Sequence, residues 1–243
     1  MFRHKGKNRT FAQDLRLATL LSFVAGLVNI TGVLAIKTLT TNVTGHFAFF
    51  SEEIIEHNYS AAITFFVFTV LFLVGSFTSS FLEELVTQKN PQLSHIIPIS
   101  LEMIVLVGVG IFGSQSNLSS LEGKLTAFFM LFAMGIQNSL VTNISKSTVR
   151  TTHLTGLFTD LGIELSQLLF YKKPEEVKKL KTRVFLRLSI ITFFFGGCIS
   201  GGIAYQFLEV KTLFIAAFFL LIAQWYDYLR LKIHLIKRKA FHN

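Results

Sequence analysis

The sequence predicts an all-α membrane protein: six transmembrane helices arranged as two inverted three-helix repeats, each with a broken segment and a short non-spanning helix. Three observations predict it. Half of the 243 residues are hydrophobic (51%) and only 15% are charged, with 27 Phe and 3 Pro, against about 25% charged residues in an average globular chain. Lys and Arg, 23 in number against 14 Asp and Glu, gather between the apolar stretches. The chain also repeats itself. The same composition excludes a disordered chain or a disulfide scaffold, since Cys198 has no second cysteine to pair with. The net charge of +9 is read as topology rather than as nucleic-acid binding, because basic residues collect on the cytoplasmic side of membrane proteins.

Crossing ~30 Å of hydrocarbon at ~1.5 Å per residue takes about 20 apolar residues. Residues 1–17 carry Arg3, Lys5, Lys7, Arg9 and Arg16 and read as a cytoplasmic basic N-terminus rather than a cleaved leader. The first repeat, residues 18–113, holds spans at 18–36, 60–82 and 95–113. The second, residues 124–230, holds spans at 124–144, 184–207 and 211–230. Residues 231–243 form a basic, amphipathic tail expected on anionic lipid at the cytoplasmic face. Two apolar stretches are interrupted by acids: 46–58 by Glu52, Glu53 and Glu56, and 154–171 by Asp160 and Glu164. Both read as re-entrant or in-plane helices. If 154–171 crossed, the basic loop 172–183 would lie outside. With neither crossing, every Lys and Arg except Lys37, Lys124 and Lys211 lies inside, as do both termini.

The repeat is the most informative feature. Gly26 and Asn29 recur as Gly135 and Asn138, 109 positions on. Thr44, Gly45 and Glu53 recur as Thr155, Gly156 and Glu164, 111 positions on. Gly75 with the small run 78–80 corresponds to Gly197 with 200–202, 122 positions on. The growing offset falls in polar connectors, where insertions are tolerated. Three spans per repeat is an odd number, which turns the second copy upside down, an arrangement common among secondary transporters.

The motif Gly135-Ile136-Gln137-Asn138, followed by Thr151-Thr152-His153-Leu154-Thr155-Gly156, and its weaker copy in the first half resemble the YoaK family of bacterial membrane proteins, a family described as a domain of unknown function. The resemblance runs from about residue 20 to 229. It implies a multi-pass protein of the bacterial inner membrane and supplies no substrate. Asn29 stands where an Asp is frequent in the family, and His46 where Asn usually follows Thr-Gly. If that Asp handles a cation or proton in the family, this chain lacks the step.

Non-helical backbone at membrane depth survives only when buried in protein or lining a water-filled cavity, so the two Thr-Gly breaks are the candidate sites. Thr44 and Thr155 are suited to cap the short helices, and Gly45 and Gly156 allow close approach of backbone or ligand. The free N–H groups of such helices favour an anion. With the amides Asn29, Gln137 and Asn138 and the flanking His46, they form the expected substrate-binding set; a capped turn with nothing bound is the competing reading. Glu53, Glu102, Asp160 and Glu164 are the expected proton-coupling set. A charge at the bilayer centre costs about 2.5–3.5 kcal/mol or more, so each needs a partner, a cavity or water. The expected picture is two breaks facing each other across a central axis.

The sequence has no P-loop, Rossmann, zincin or serine-hydrolase motif, so no enzymatic activity, cofactor or metal is expected. The function expected is a small secondary transporter of a small polar or anionic solute. The alternatives are a membrane-embedded structural or sensor protein without transport and, third, an intramembrane enzyme. Expected partners are the lipid bilayer and an unidentified small solute; a homodimer is left open, and nucleic acid is not expected.

Overall fold

The computed structural model describes residues 2, 9–90, 93–113, 118 and 120–240, with side chains through 229. Every regular element among them is helical: α1 (Phe11–Ile36), α2 (Val43–Ile55), α3 (Tyr59–Thr87), α4 (Ile96–Phe112), α5 (Leu121–Ser145), α6 (Leu154–Phe170), α7 (Pro174–Leu208), a 3-10 turn (Glu209–Thr212) and α8 (Leu213–Ala240). Four stretches are long and apolar enough to cross a membrane: α1, α3, α5 and Pro174–Leu229, the last containing α7, the 3-10 turn and most of α8. α4 is a shorter apolar helix of 17 residues.

Helix ends depart from the apolar boundaries where capping chemistry sets them. α1 begins well ahead of residue 18, because the Thr10 N–H donates to the Gln13 side chain at 3.0 Å and Asp14 sits in the first turn. The segment 172–183, expected as a loop, is mostly helix. Pro174 occupies the first turn, where its missing N–H costs nothing, Glu175 and Glu176 complement the helix dipole, and the Lys-rich run that follows is a good helix former. The basic tail likewise continues α8 as helix to Ala240.

Glycines decide how the long helices meet. A methyl group on Gly26 of α1 would lie 2.1 Å from the Phe194 carbonyl oxygen of α7, and one on Gly197 of α7 would lie 2.1 Å from the Phe23 carbonyl oxygen of α1. Backbones this close exclude any side chain, the device by which membrane helices gain packing contacts without a hydrophobic drive. α3 and α5 meet in the same way: Gly75 faces the Phe132 carbonyl at 2.1 Å and Gly135 faces the Phe72 carbonyl at 2.2 Å. Side-chain polar contacts join both crossings. Cys198 donates to the Gly26 carbonyl at 3.4 Å, and Ser76 donates to the Gly135 carbonyl at 3.1 Å. Both pairs run parallel, as Phe23–Gly197 with Ile30–Gly201, and Phe72–Gly135 with Ser80–Asn143, require.

The remaining contacts run the other way. α1 and α5 are antiparallel, with Gln137 Nε2 donating to the Leu21 carbonyl at 2.7 Å and Gly32 beside Met130. α4 and α8 are antiparallel too, with Gln224 donating to Ser100 Oγ at 3.0 Å at one end and Gly110 against Phe214 at the other. The core between these helices is aliphatic, built on Leu21, Leu27, Ile99, Leu106, Leu131 and Met134, all fully or almost fully buried. Large apolar side chains such as Phe112 (86% exposed), Leu169 (82%) and Phe207 (81%) cover the outside. In water such a surface is an aggregation hazard; in hydrocarbon it is the solvated face.

Candidate functional site

At the first break α1 ends with Lys37 in the left-handed region (φ 54°). The chain then turns back onto α1, where Asn29 Oδ1 accepts from the Thr40 N–H at 3.1 Å and the Thr41 hydroxyl at 3.0 Å. α2 is capped by Asn42, whose Oδ1 accepts from the Gly45 N–H at 3.1 Å. Thr44, expected as the cap, lies inside the first turn. His46 is buried, its Nε2–H donating to the Leu39 carbonyl at 2.8 Å, with its ring against Phe65 and Phe68. Burial holds the imidazole below its ordinary pKa, the bond to Leu39 opposing this more weakly.

The second break repeats the plan. α5 ends with Lys146 (φ 52°) and Ser147 (φ 62°), and Asn138 Oδ1 accepts from the Thr152 hydroxyl at 3.0 Å. The position equivalent to Asn42 is His153, which starts α6 without a side-chain cap. Its ring instead fills the space beside Gly156, where a methyl group would come within 2.3 Å of it. Thr155, expected as the cap here, also lies within the first turn and is exposed.

The carboxylates divide the two breaks. Glu164 is buried and takes a forked pair of bonds from Arg187, Nε at 2.8 Å and Nη2 at 3.0 Å, with Arg183 Nε at 3.0 Å. Asp160, exposed, pairs with Arg187 Nη1 at 3.1 Å. Its counterpart in the first break, Phe49, packs on Phe65, the counterpart of Arg187, with ring centroids 5.2 Å apart. The same short helix is therefore clasped to the same long helix by charge in one half and by aromatic contact in the other. Glu53 makes no ion pair among the described residues; it accepts from Asn58 Nδ2 at 2.7 Å.

Arg183 and Arg187 are missing from the sequence-derived site. Arg187 was detectable, because a lone guanidinium inside an apolar stretch demands a carboxylate. These groups border a cavity of about 440 Å³ together with Ser147, Arg150 and His153. Arg150 is exposed there and has no ion pair among the described residues. The cavity therefore offers a guanidinium, an imidazole and a hydroxyl to a small anion, beside two arginines held in place by their own carboxylates.

The expected meeting of the two breaks does not occur. α2 packs on α3 alone and α6 on α7 alone. Because α1 and α5 are antiparallel, the breaks that follow them sit at opposite ends of the bundle. Asn29 and Asn138 each tie down their own break and do not converge, and Gln137 bonds helix to helix. Glu102 stands apart from both breaks, fully buried in α4 with neither oxygen hydrogen-bonded.

The chain belongs to the family described as Protein of unknown function (DUF1275), which matches residues 17–225. The YoaK-like motifs are consistent with that membership. No curated protein and no solved structure matches the chain.

Proposed function

We propose that this protein is a proton-coupled secondary transporter of a small anionic solute, built as six spans in two inverted repeats in the bacterial inner membrane, with both termini cytoplasmic and no enzymatic activity. The observation that carries the reading is the exchange of contacts between halves. α1 meets α7 through Gly26 and Gly197, and α5 meets α3 through the repeat-matched Gly135 and Gly75, while the two leading helices run antiparallel. Copies related by an in-plane axis would have these pairings, and folds of that kind expose a site to each side in turn. α4 and α8, the third helix of each half, are also antiparallel, which supports the count of six.

The cavity at the second break supports an anion as solute, with Arg150 as the residue that first meets it and the Arg187–Glu164 pair as its rigid wall. Separation of the breaks favours a site at the second break over one shared site. The test is a thermal-stability screen of purified protein against small carboxylates, phosphate and sulfate. A binder at about 100 times its Kd adds about 2.7 kcal/mol to the apparent stability. Arg150→Gln should abolish the rise caused by the binding anion and leave the unliganded melting temperature unchanged. Absence of any stabilising anion, or a rise that survives Arg150→Gln, sinks this assignment.

A further inference from the structure

Glu102 differs from the other acidic residues of the apolar segments. Asp160 and Glu164 hold arginines, Glu53 holds Asn58, and Asp227 accepts from the Phe2 N–H. Glu102 is 0% exposed, and neither of its oxygens has a hydrogen-bond partner. Among the described residues it makes no ion pair. The elements packed against α4 are α3, α5, α8 and the 3-10 turn; their titratable groups are Tyr59, Glu83 and Glu84 towards the ends of α3, Glu122 and Lys124 at the start of α5, Tyr226, Asp227, Tyr228 and the basic residues from Arg230 on in the second half of α8, and Glu209 and Lys211 in the turn. Glu83, which is also buried, makes a contact of its own. Between residues 125 and 145 of α5, and between 213 and 225 of α8, no charged residue occurs. The contacts Gln224–Ser100 and Phe214–Gly110 set the α4–α8 register and put residue 222, between the buried Leu220 and Ala223, level with Glu102.

An isolated carboxylate in such surroundings is too costly to leave bare. A metal cation would need several oxygen ligands, and no group of three ligating side chains exists among the described residues; a proton needs one bond. The stripe of α4 that carries Glu102 also shows a route. His95, Ile99, Glu102, Leu106 and Val109 recur at helical spacing on one buried face. His95 lies about 10 Å from Glu102 along the axis. The ring of Phe2, fully buried, stacks on His95 with centroids 5.4 Å apart, and the Phe2 N–H donates to the Asp227 carboxylate of α8. Phe2 thus covers the end of the stripe.

We propose that Glu102 is a proton-binding site in the interior of the bundle, reached from the end where Phe2 sits on His95 and Asp227. The proton arrives from water as the carboxyl O–H and returns to water by the same end when Phe2 leaves its seat. This deepens the proton-coupled reading given above and rests on it for its purpose, but the test needs no solute.

The test is infrared difference spectroscopy of the full-length protein in lipid, with Glu102→Gln as the reference and transfer into deuterated water as the perturbation. The expected result is the C=O stretch of a protonated carboxylic acid at neutral pH that vanishes in Glu102→Gln and shifts on deuteration. Its exchange should quicken from wild type to Phe2→Leu to Phe2→Ala, reaching about tenfold in the last as the opening equilibrium rises. Phe2→Leu keeps most of the apolar volume and guards against loss of fold. No such band, a band indifferent to Glu102→Gln, or one that never exchanges overturns the site; equal exchange in the three proteins overturns the route. A missing band with intact anion stabilisation would refute this site alone, whereas a normal band without any stabilising anion would refute the anion assignment and leave Glu102 standing.

Discussion

Glu164 and Arg187 show how a single ion pair can be structural and still shape a site. The guanidinium is planar and meets the carboxylate with two parallel bonds, so it fixes orientation as well as charge. With Glu164 7% exposed and Arg187 21% exposed at the side chain, removing one partner leaves the other, where water screens it poorly, with only its more exposed contact, Asp160 for Arg187 or Arg183 for Glu164. Glu164→Gln should therefore destabilise the protein by about 3 kcal/mol, and the double variant Glu164→Gln/Arg187→Gln should recover most of that loss, because neither charge is then left alone. Melting temperatures of the four proteins in one detergent give the coupling directly. A double variant whose loss equals the sum of the two single losses would mean that the pair is not coupled and that the wall of the cavity is set by something else.

At the scale of elements, neighbouring glycines of α7 make opposite predictions. Gly197 lies against the α1 backbone, whereas a methyl group on Gly196 meets nothing within 4 Å. Gly197→Val should cost at least about 1–3 kcal/mol by forcing α1 and α7 apart. Gly196→Ala should be neutral or stabilising by up to about 1 kcal/mol, since it only improves helix propensity. The glycines that make these crossings were legible in the sequence, because Gly26, Gly75, Gly135 and Gly197 recur at repeat-matched positions and close packing tolerates only small residues. The two breaks were legible for a similar reason: polar residues in an apolar stretch must be accounted for. The caps were not. Asn42 and Thr44 are both good cap residues, and the choice rests on backbone angles that no spacing reveals. The start of α7 was hidden because a hydropathy window detects the hydrocarbon boundary, while the helix obeys Pro174, Glu175 and Glu176. Nor could the separation of the breaks be seen along the chain, because matching residues in two copies say which positions are equivalent and not which ones meet.

For the whole molecule, inverted repeats and the distribution of charge make one joint demand. If α1 and α5 are equivalent helices of opposite direction, the second break, with its arginines and the basic first turns of α7, must face the side where Lys and Arg belong, and the first break must face the other. The chemistry of the two clasps agrees with this asymmetry. Phe49 on Phe65 suits a leaflet with few basic residues, while Asp160 and Glu164 on Arg183 and Arg187 suit the basic side. Accessibility labelling checks the demand in a background where Cys198 is replaced by Ser. A cysteine at Lys178 in the basic start of α7 should react with a membrane-impermeant maleimide only after the cells are opened, and one at Leu121, which is exposed at the start of α5, should react in intact cells. The α4 helix provides the decisive third position. At 17 residues it is about 25 Å long, short enough to be taken for a buried helix and long enough to cross a thin bilayer. If it crosses, residues 88 and 121 label from opposite sides, and a cysteine at Gln88 reacts only in opened cells. Labelling of both from the same side would remove one span from the first half, make the count odd, and end the inverted-repeat reading whatever the contacts between glycines.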